Sequence, residues 1–431
     1  GSNDAFGWWA LRSNTEGSNN SAFAYGALQS NTTGAANVAF GREALKSNTT
    51  GNHNTAVGMY ALRDSVTTSS NSAFGFQSLV RNTTGEKNVA FGYNSAWANT
   101  TGSNNTVMGY WALGSNTTGE KITAFGTEAL YNNTSSEITA IGYRALYSNT
   151  SGLKNNAVGV QALYSNTTGA FNTASGYQAL YSSTTGTGNT AFGTSALNSN
   201  TTGDYNTAVG YQALNRNSTG GNYNSALGKS ALFNNTSGAN NTGLGYQAGY
   251  SNQTGGGNVF IGYQAGYSET GSNKLYIGNS STVNLITGDF SSGNLFLGQN
   301  SGMVTIENNA DIDGTLTLGS ISDVESTINS ISAASFGSNA LGVVGTNLGI
   351  GENALTSGSL SGSQNLAIGQ SSSMATTSGS GNTAVGYATL RDNTIGGQNS
   401  AFGAQVLIVN TGGDENSGFG NEALNNNTTG N

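Results

Sequence analysis

The sequence predicts an all-β chain, a parallel β-solenoid (β-roll) of ~17-residue rungs, and three observations carry that expectation. The first is a repeated phrase. NTASGYQALYSSTTGTGNTAFG begins at Asn172, and NTAVGYQALNRNSTG follows from Asn206 in nearly the same letters. The second is a constant spacing: the glycine closing each A-[VFI]-G phrase recurs at Gly41, Gly58, Gly75, Gly92, Gly109 and Gly126, five successive steps of 17. The third is composition. Among 431 residues there are 65 glycines, no proline, no cysteine and only 8% charged residues, against roughly 25% charged in an ordinary globular chain.

The grid continues after one step of 16 to Gly142, through Gly159, Gly176, Gly193 and Gly210, then one step of 18 to Gly228. Gly7 and Ala24 fit its start, and Gly245 and Gly262 its end. A period near 17 is too short for a helix pair and suits one coil of a solenoid. Within a rung, Asn206 to Gly210 reads as a strand and Tyr211 to Leu214 as a second. The connector is usually N-T-T-G, as in Asn31 to Gly34, Asn48 to Gly51 and Asn116 to Gly119. Asn and Thr bond their own backbone, and glycine is expected at the positive φ of the turn. Ser69-Ser70 and Ser135-Ser136 replace that glycine in two rungs.

Ala208-Val209, Ala39-Phe40, Ala90-Phe91, Ala213-Leu214 and Ala129-Leu130 are adjacent apolar pairs. In strands their side chains point to opposite faces, so both faces are expected to be covered, one by the coil interior and the other by a second copy of the chain. Asn37, Asn54, Asn71, Asn88 and Asn105 open successive strands and are expected to stack as an amide ladder. About eighteen rungs to Gly298 at ~4.8 Å each predict a rod of roughly 85 Å.

Three regions follow: a repeat region at 1–298, a connector at 299–335 and a second repeat region at 336–431. The connector carries short alternating segments, with Val304 and Ile306, then Leu316 and Leu318. Ile321, Val324, Ile328 and Ile331 then step by 3, 4 and 3. That is an a/d pattern, and β-branched residues at both positions favour trimers over dimers. The grid returns at Gly351, Gly369, Gly386, Gly403 and Gly420. The opening GSND lacks methionine, and the closing ALNNNTTGN stops in mid-rung, so a longer polypeptide at both ends is expected.

NLAIGQSSS (Asn365 to Ser373), NVFIGYQAG and NLGIGENAL resemble the head repeat of trimeric autotransporter adhesins. The chain is also similar to the N-T-A-x-G-Y-Q-A-L repeats of phage tail-fibre and related bacterial surface proteins. The resemblance covers most of the chain outside roughly 299–335. It implies a left-handed roll, three chains side by side, and an adhesive or receptor-reaching role outside the cell or on a virion. It makes Gly210, Gly386 and their equivalents Gly41, Gly58, Gly75, Gly92, Gly109, Gly176, Gly193 and Gly403 the tight-packing glycines. Val209, Val385 and Phe192 then take the bulky apolar place. The 17-residue period is longer than that of the adhesin repeat, Thr or Ser often stands at its first apolar position, and neither a membrane anchor nor a chaperone domain is visible.

Chemistry is sparse. Net charge is −8, without the basic stripe nucleic acid needs. No apolar run approaches the ~18 residues of a membrane helix, and no stretch reads as a signal peptide. The single histidine, His53, sits in the turn GNHNT, and Glu16, Glu43, Asp64, Glu86, Glu120 and Glu128 are scattered singly. No catalytic set, cofactor or metal site is expected; Asp311 and Asp313 in NADIDG read as a turn rather than a calcium loop. Tyr147, Tyr164 and Tyr181 share one place in successive rungs, and Tyr246 and Tyr263 share another. Each set is either a lateral packing ladder or a strip contacting glycans. A structural and adhesive fibre without catalysis is the leading expectation. A carbohydrate-binding or depolymerising tailspike and, from Thr-Thr pairs such as Thr32-Thr33, an ice-binding solenoid are the alternatives.

Overall fold

The computed structural model describes residues 1–298, 341–344, 346–355, 361–373 and 375–430. The chain divides into two units, Gly1–Glu307 and Asn308–Asn431. Among the described residues every regular element is a β-strand. The connector pattern at Ile321, Val324, Ile328 and Ile331, with Asp311 and Asp313, lies outside the described residues.

Unit 1 begins with sixteen three-residue strands, β1 (Asp4–Phe6) to β16 (Val259–Ile261). Each pairs in parallel with the next and without slippage, as in Ala157↔Ala174, Ala174↔Ala191 and Ala191↔Ala208. This is a parallel β-solenoid, and sixteen coils at ~4.8 Å extend roughly 75 Å. β17 (Lys274–Gly278) adds one more parallel strand. The chain then reverses: β18 (Asn284–Asp289) and β19 (Asn294–Leu297) are antiparallel, so the roll ends before Gly298. In unit 2, β20 (Leu341–Val344) is antiparallel to β21 (Asn347–Ile350). Parallel stacking resumes through β22 (Leu366–Ile368), β23 (Thr383–Val385), β24 (Ser400–Phe402) and β25 (Ser417–Phe419).

The second strand expected in each rung is a run of turns. Ala213 N–H donates to the Gly210 carbonyl, and Gln212 and Leu214 have φ of 55° and 48°. The physical reason is burial. Ala213 and Leu214 are both fully buried, and neighbouring residues of a strand cannot both face inward. Turning the backbone lets both side chains enter the same narrow core, at an αL cost of about 1–2 kcal/mol per leucine. Ala129-Leu130 behaves likewise. The pairs Ala208-Val209, Ala39-Phe40 and Ala90-Phe91 do divide, alanine inward and the larger residue outward.

Glycine has two separate jobs. Gly41, Gly58, Gly75, Gly92, Gly109, Gly176, Gly193, Gly210, Gly386 and Gly403 all have φ between 130° and 143°. A Cβ on Gly41 would lie 2.6 Å from the carbonyl oxygen of Gly58 in the next coil. The connector glycines differ from expectation, because Gly34, Gly51 and Gly119 are not at positive φ. There a Cβ would collide with the interior, 2.4 Å from Asn31 Oδ1 at Gly34. The positive φ falls two residues later, at Ala36, His53 and Lys121.

The core is alanine, leucine and two asparagine ladders. The N–H of Asn37 donates to Oδ1 of Asn20 at 2.9 Å, and its Nδ2 donates to the Gly51 carbonyl at 2.8 Å. The connector asparagines form the second ladder, Asn48 Nδ2 reaching Asn31 Oδ1 at 2.8 Å. Most buried amides thereby bond to their counterparts in adjacent coils, while Asn48, Asn166, Asn235 and Asn252 keep an Oδ1 without a partner. Ile122 and Ile138 interrupt the first ladder as buried apolar substitutes.

Candidate functional site

Three outward features follow from this core. The first is an apolar row. The third residue of each strand points away from the interior, so Phe40, Phe91, Met108, Phe192, Leu227 and Leu244 lie one above another. Phe40 and Phe192 are 58% and 60% exposed. Val209, Leu227 and Leu244, with Ser225 and Thr242, line an apolar groove of about 300 Å³ along this row. In unit 2, Ile350, Phe402 and Phe419 occupy the same place and are also exposed.

The second feature is a set of aromatic columns on the turn face. Tyr131, Tyr147, Tyr164 and Tyr181 stack at centroid distances of 5.5, 5.3 and 5.2 Å, with planes 6–9° apart. Tyr246 and Tyr263 belong to a different column, 5.1 Å apart. There Lys229 takes the place of a ring, its Nζ 5.8 Å from the Tyr211 ring and 5.7 Å from that of Tyr246. The structure thus brings Tyr147, Tyr164 and Tyr181 together but does not join Tyr246 and Tyr263 to them. Stacking also covers the ring faces a sugar would need, leaving mostly edges toward solvent. The column of Tyr147, Tyr164 and Tyr181 is interrupted at Asn198 and Asn215, resumes with Phe233 and Tyr250, and ends at Tyr267.

The third feature is a pair of hollows where the roll meets its antiparallel end. In the last coil Glu269 stands at the place of a connector asparagine. Tyr276 Oη donates to Glu269 Oε2 at 2.6 Å, and the Thr270 and Gly271 N–H groups donate to Oε1. Burial works to raise the Glu269 carboxyl pKa, but these donors outweigh it and hold it below its ordinary value. Burial, reinforced by the Glu269 hydrogen bond, pushes the Tyr276 phenol up to about 12. Lys274 Nζ donates to Asp289 Oδ2 at 2.6 Å and, with Ser291, holds that carboxyl far below the usual range.

The Glu269–Tyr276 pair forms a shared wall. On one side lies a hollow of about 480 Å³ with Lys274, Asp289, Asn294 and Phe296. On the other lies one of about 190 Å³ with Tyr267, Ser268, Ser281 and Asn284. Sequence reading missed these residues. The one available signal was the replacement of a ladder asparagine by Glu269; the closure by β17 and β18 is a tertiary event.

His53 is exposed in its turn, with φ 58°. The connector asparagines Asn31, Asn48 and Asn116 are fully buried and spend their Nδ2 groups in the ladder. Thr32 and Thr83 donate their hydroxyls to carbonyls of the next coil. Among the described residues no group of three or more His, Cys, Asp or Glu converges on a metal position, and no helix is long and apolar enough to cross a membrane. Searches of family models, curated proteins and solved structures return no match to the chain.

Proposed function

We propose that the chain is a shaft segment of an extracellular fibre, of the tail-fibre or surface-adhesin kind, that supplies reach and attachment without catalysis and works as a homotrimer. The observation that carries this reading is the outward apolar row. A row of exposed Phe, Met, Leu and Ile over successive coils is far larger than the scattered apolar residues of a soluble monomer. A partner covering it must present apolar side chains at the same vertical spacing over many coils. A second copy of the chain, lying parallel and in register, meets that requirement by construction.

Three copies rather than two follow from the β-branched a/d pattern at Ile321, Val324, Ile328 and Ile331. Mechanical function rests on the ladders: coils are held by backbone pairing together with amide ladders and, in many of them, ring stacks, so load along the axis is shared. Sedimentation equilibrium tests the assembly. The expected species has three times the 43.7 kDa chain mass, and a folded single chain overturns the reading.

A further inference from the structure

We propose that the smaller hollow, at the end of the Phe233–Tyr250–Tyr267 column, is a binding site for a neutral pyranose at the tip of a surface glycan. This extends the attachment part of the fibre reading to a specific place and ligand class.

Three observations converge. Tyr267 stacks on Tyr250 at 5.0 Å and 2°, and no ring covers its opposite side among the described residues. It is therefore the terminal ring of its stack, unlike Tyr147 and Tyr164, which are stacked on both faces. That ring lines a hollow of about 190 Å³, enough for a single sugar ring and too small for a peptide segment. Asn284 is also in the lining. Glu269, Ser268 and Ser281 add a carboxylate and two hydroxyls around the same space.

An apolar ring face with acceptors at its rim matches a pyranose, which has a C–H face and a girdle of hydroxyl donors. Charge selects among sugars. Glu269 is held ionised, while Lys274 in the neighbouring hollow is neutralised by Asp289. The site therefore favours neutral sugars and disfavours sialic or uronic acids.

The repeat supplies a substitution that tests this without unfolding the coil, since Asn198 and Asn215 occupy the column position of Tyr267 in other rungs. Saturation-transfer NMR on the intact chain would use the methyl glycosides of glucose, galactose and N-acetylglucosamine, with sialic acid as the acidic comparison. Transfer to at least one neutral sugar is expected, with at least tenfold weaker binding in Tyr267→Asn and Asn284→Ala and none lost in Tyr164→Asn. Absence of transfer from every neutral sugar overturns the proposal. So does undiminished binding by folded Tyr267→Asn, an equal loss in Tyr164→Asn, or preference for sialic acid. Sedimentation of the same samples reads the assembly separately, so a trimer that binds no sugar removes this inference alone.

Discussion

The backbone N–H of Asn54 donates to the side-chain Oδ1 of Asn37, seventeen residues earlier, at 2.9 Å. One interior amide thereby specifies the register between two coils, because a slip by one residue would leave both groups buried and unpaired.

Replacing Asn54 by Asp puts a carboxylate beside two neighbours that require an amide donor. A loss of about 3–5 kcal/mol is expected. Urea unfolding followed by circular dichroism measures it, and hydrogen exchange should show the loss centred on the flanking coils.

Gly58 and Gly220 separate conformational strain from collision. Gly58 has φ 133° and would bring a Cβ within 2.4 Å of the Gly75 carbonyl. Gly220 has φ 75° with nothing within 4 Å. Gly220→Ala is expected to cost about 1 kcal/mol. Gly58→Ala should cost at least about 3 kcal/mol, since the strain of a positive φ beyond the αL region and a backbone clash add. Paired thermal melts compare them.

Phe260 fills space that leucine fills elsewhere. It is fully buried, and a Cβ on Gly249 or Gly266 would lie 2.4 or 2.2 Å from its ring. Phe260→Ala should cost about 3–5 kcal/mol. Adding Gly249→Leu and Gly266→Leu restores the usual rung composition, at φ values of 62° and 59° close to those of the native leucines. The triple variant should recover most of the loss in the same urea assay.

Phe40→Ser, Phe91→Ser and Phe192→Ser together remove outward apolar surface without touching the core. Sedimentation velocity should show dissociation toward a single chain, with the far-ultraviolet spectrum of the coils retained. Assembly unaffected by the triple change would remove the row as the interface.

The antiparallel end should be acid-sensitive. Glu269 and Asp289 have lowered carboxyl pKa values in the fold, so their contribution is present above the unfolded value of about 4 and is lost as pH falls through the folded ones. Tyr276 is raised to about 12, so its contribution holds below about 10 and fades between there and 12. Fluorescence of this region against pH should show both limits, and the acid limb should disappear in Glu269→Gln with Asp289→Asn.

The coil and its period were legible because Gly41, Ala39 and Asn37 recur in fixed relation, and repetition exposes spacing directly; which member of each Ala-X pair faces inward was not. The strand-opening asparagine ladder was legible for the same reason. Leu214 was not, since intrinsic preference opposes a leucine at positive φ and only the crowded interior reverses it. Asn31 was read as turn chemistry because that explanation suffices locally, although its amide is committed to the interior. The hollow at Glu269 and Asn284 required knowing that β18 folds back across β17, which no local pattern announces.

The connector that omits one residue near Ser135 and the one that accepts an extra residue near Gly220 leave the strands on either side paired without a shift. A coil of this kind can be duplicated or deleted as a whole, since its neighbours see the same upper and lower surfaces afterwards. Length is then a property that inheritance can adjust in whole-coil increments, with no redesign of what the two ends contact.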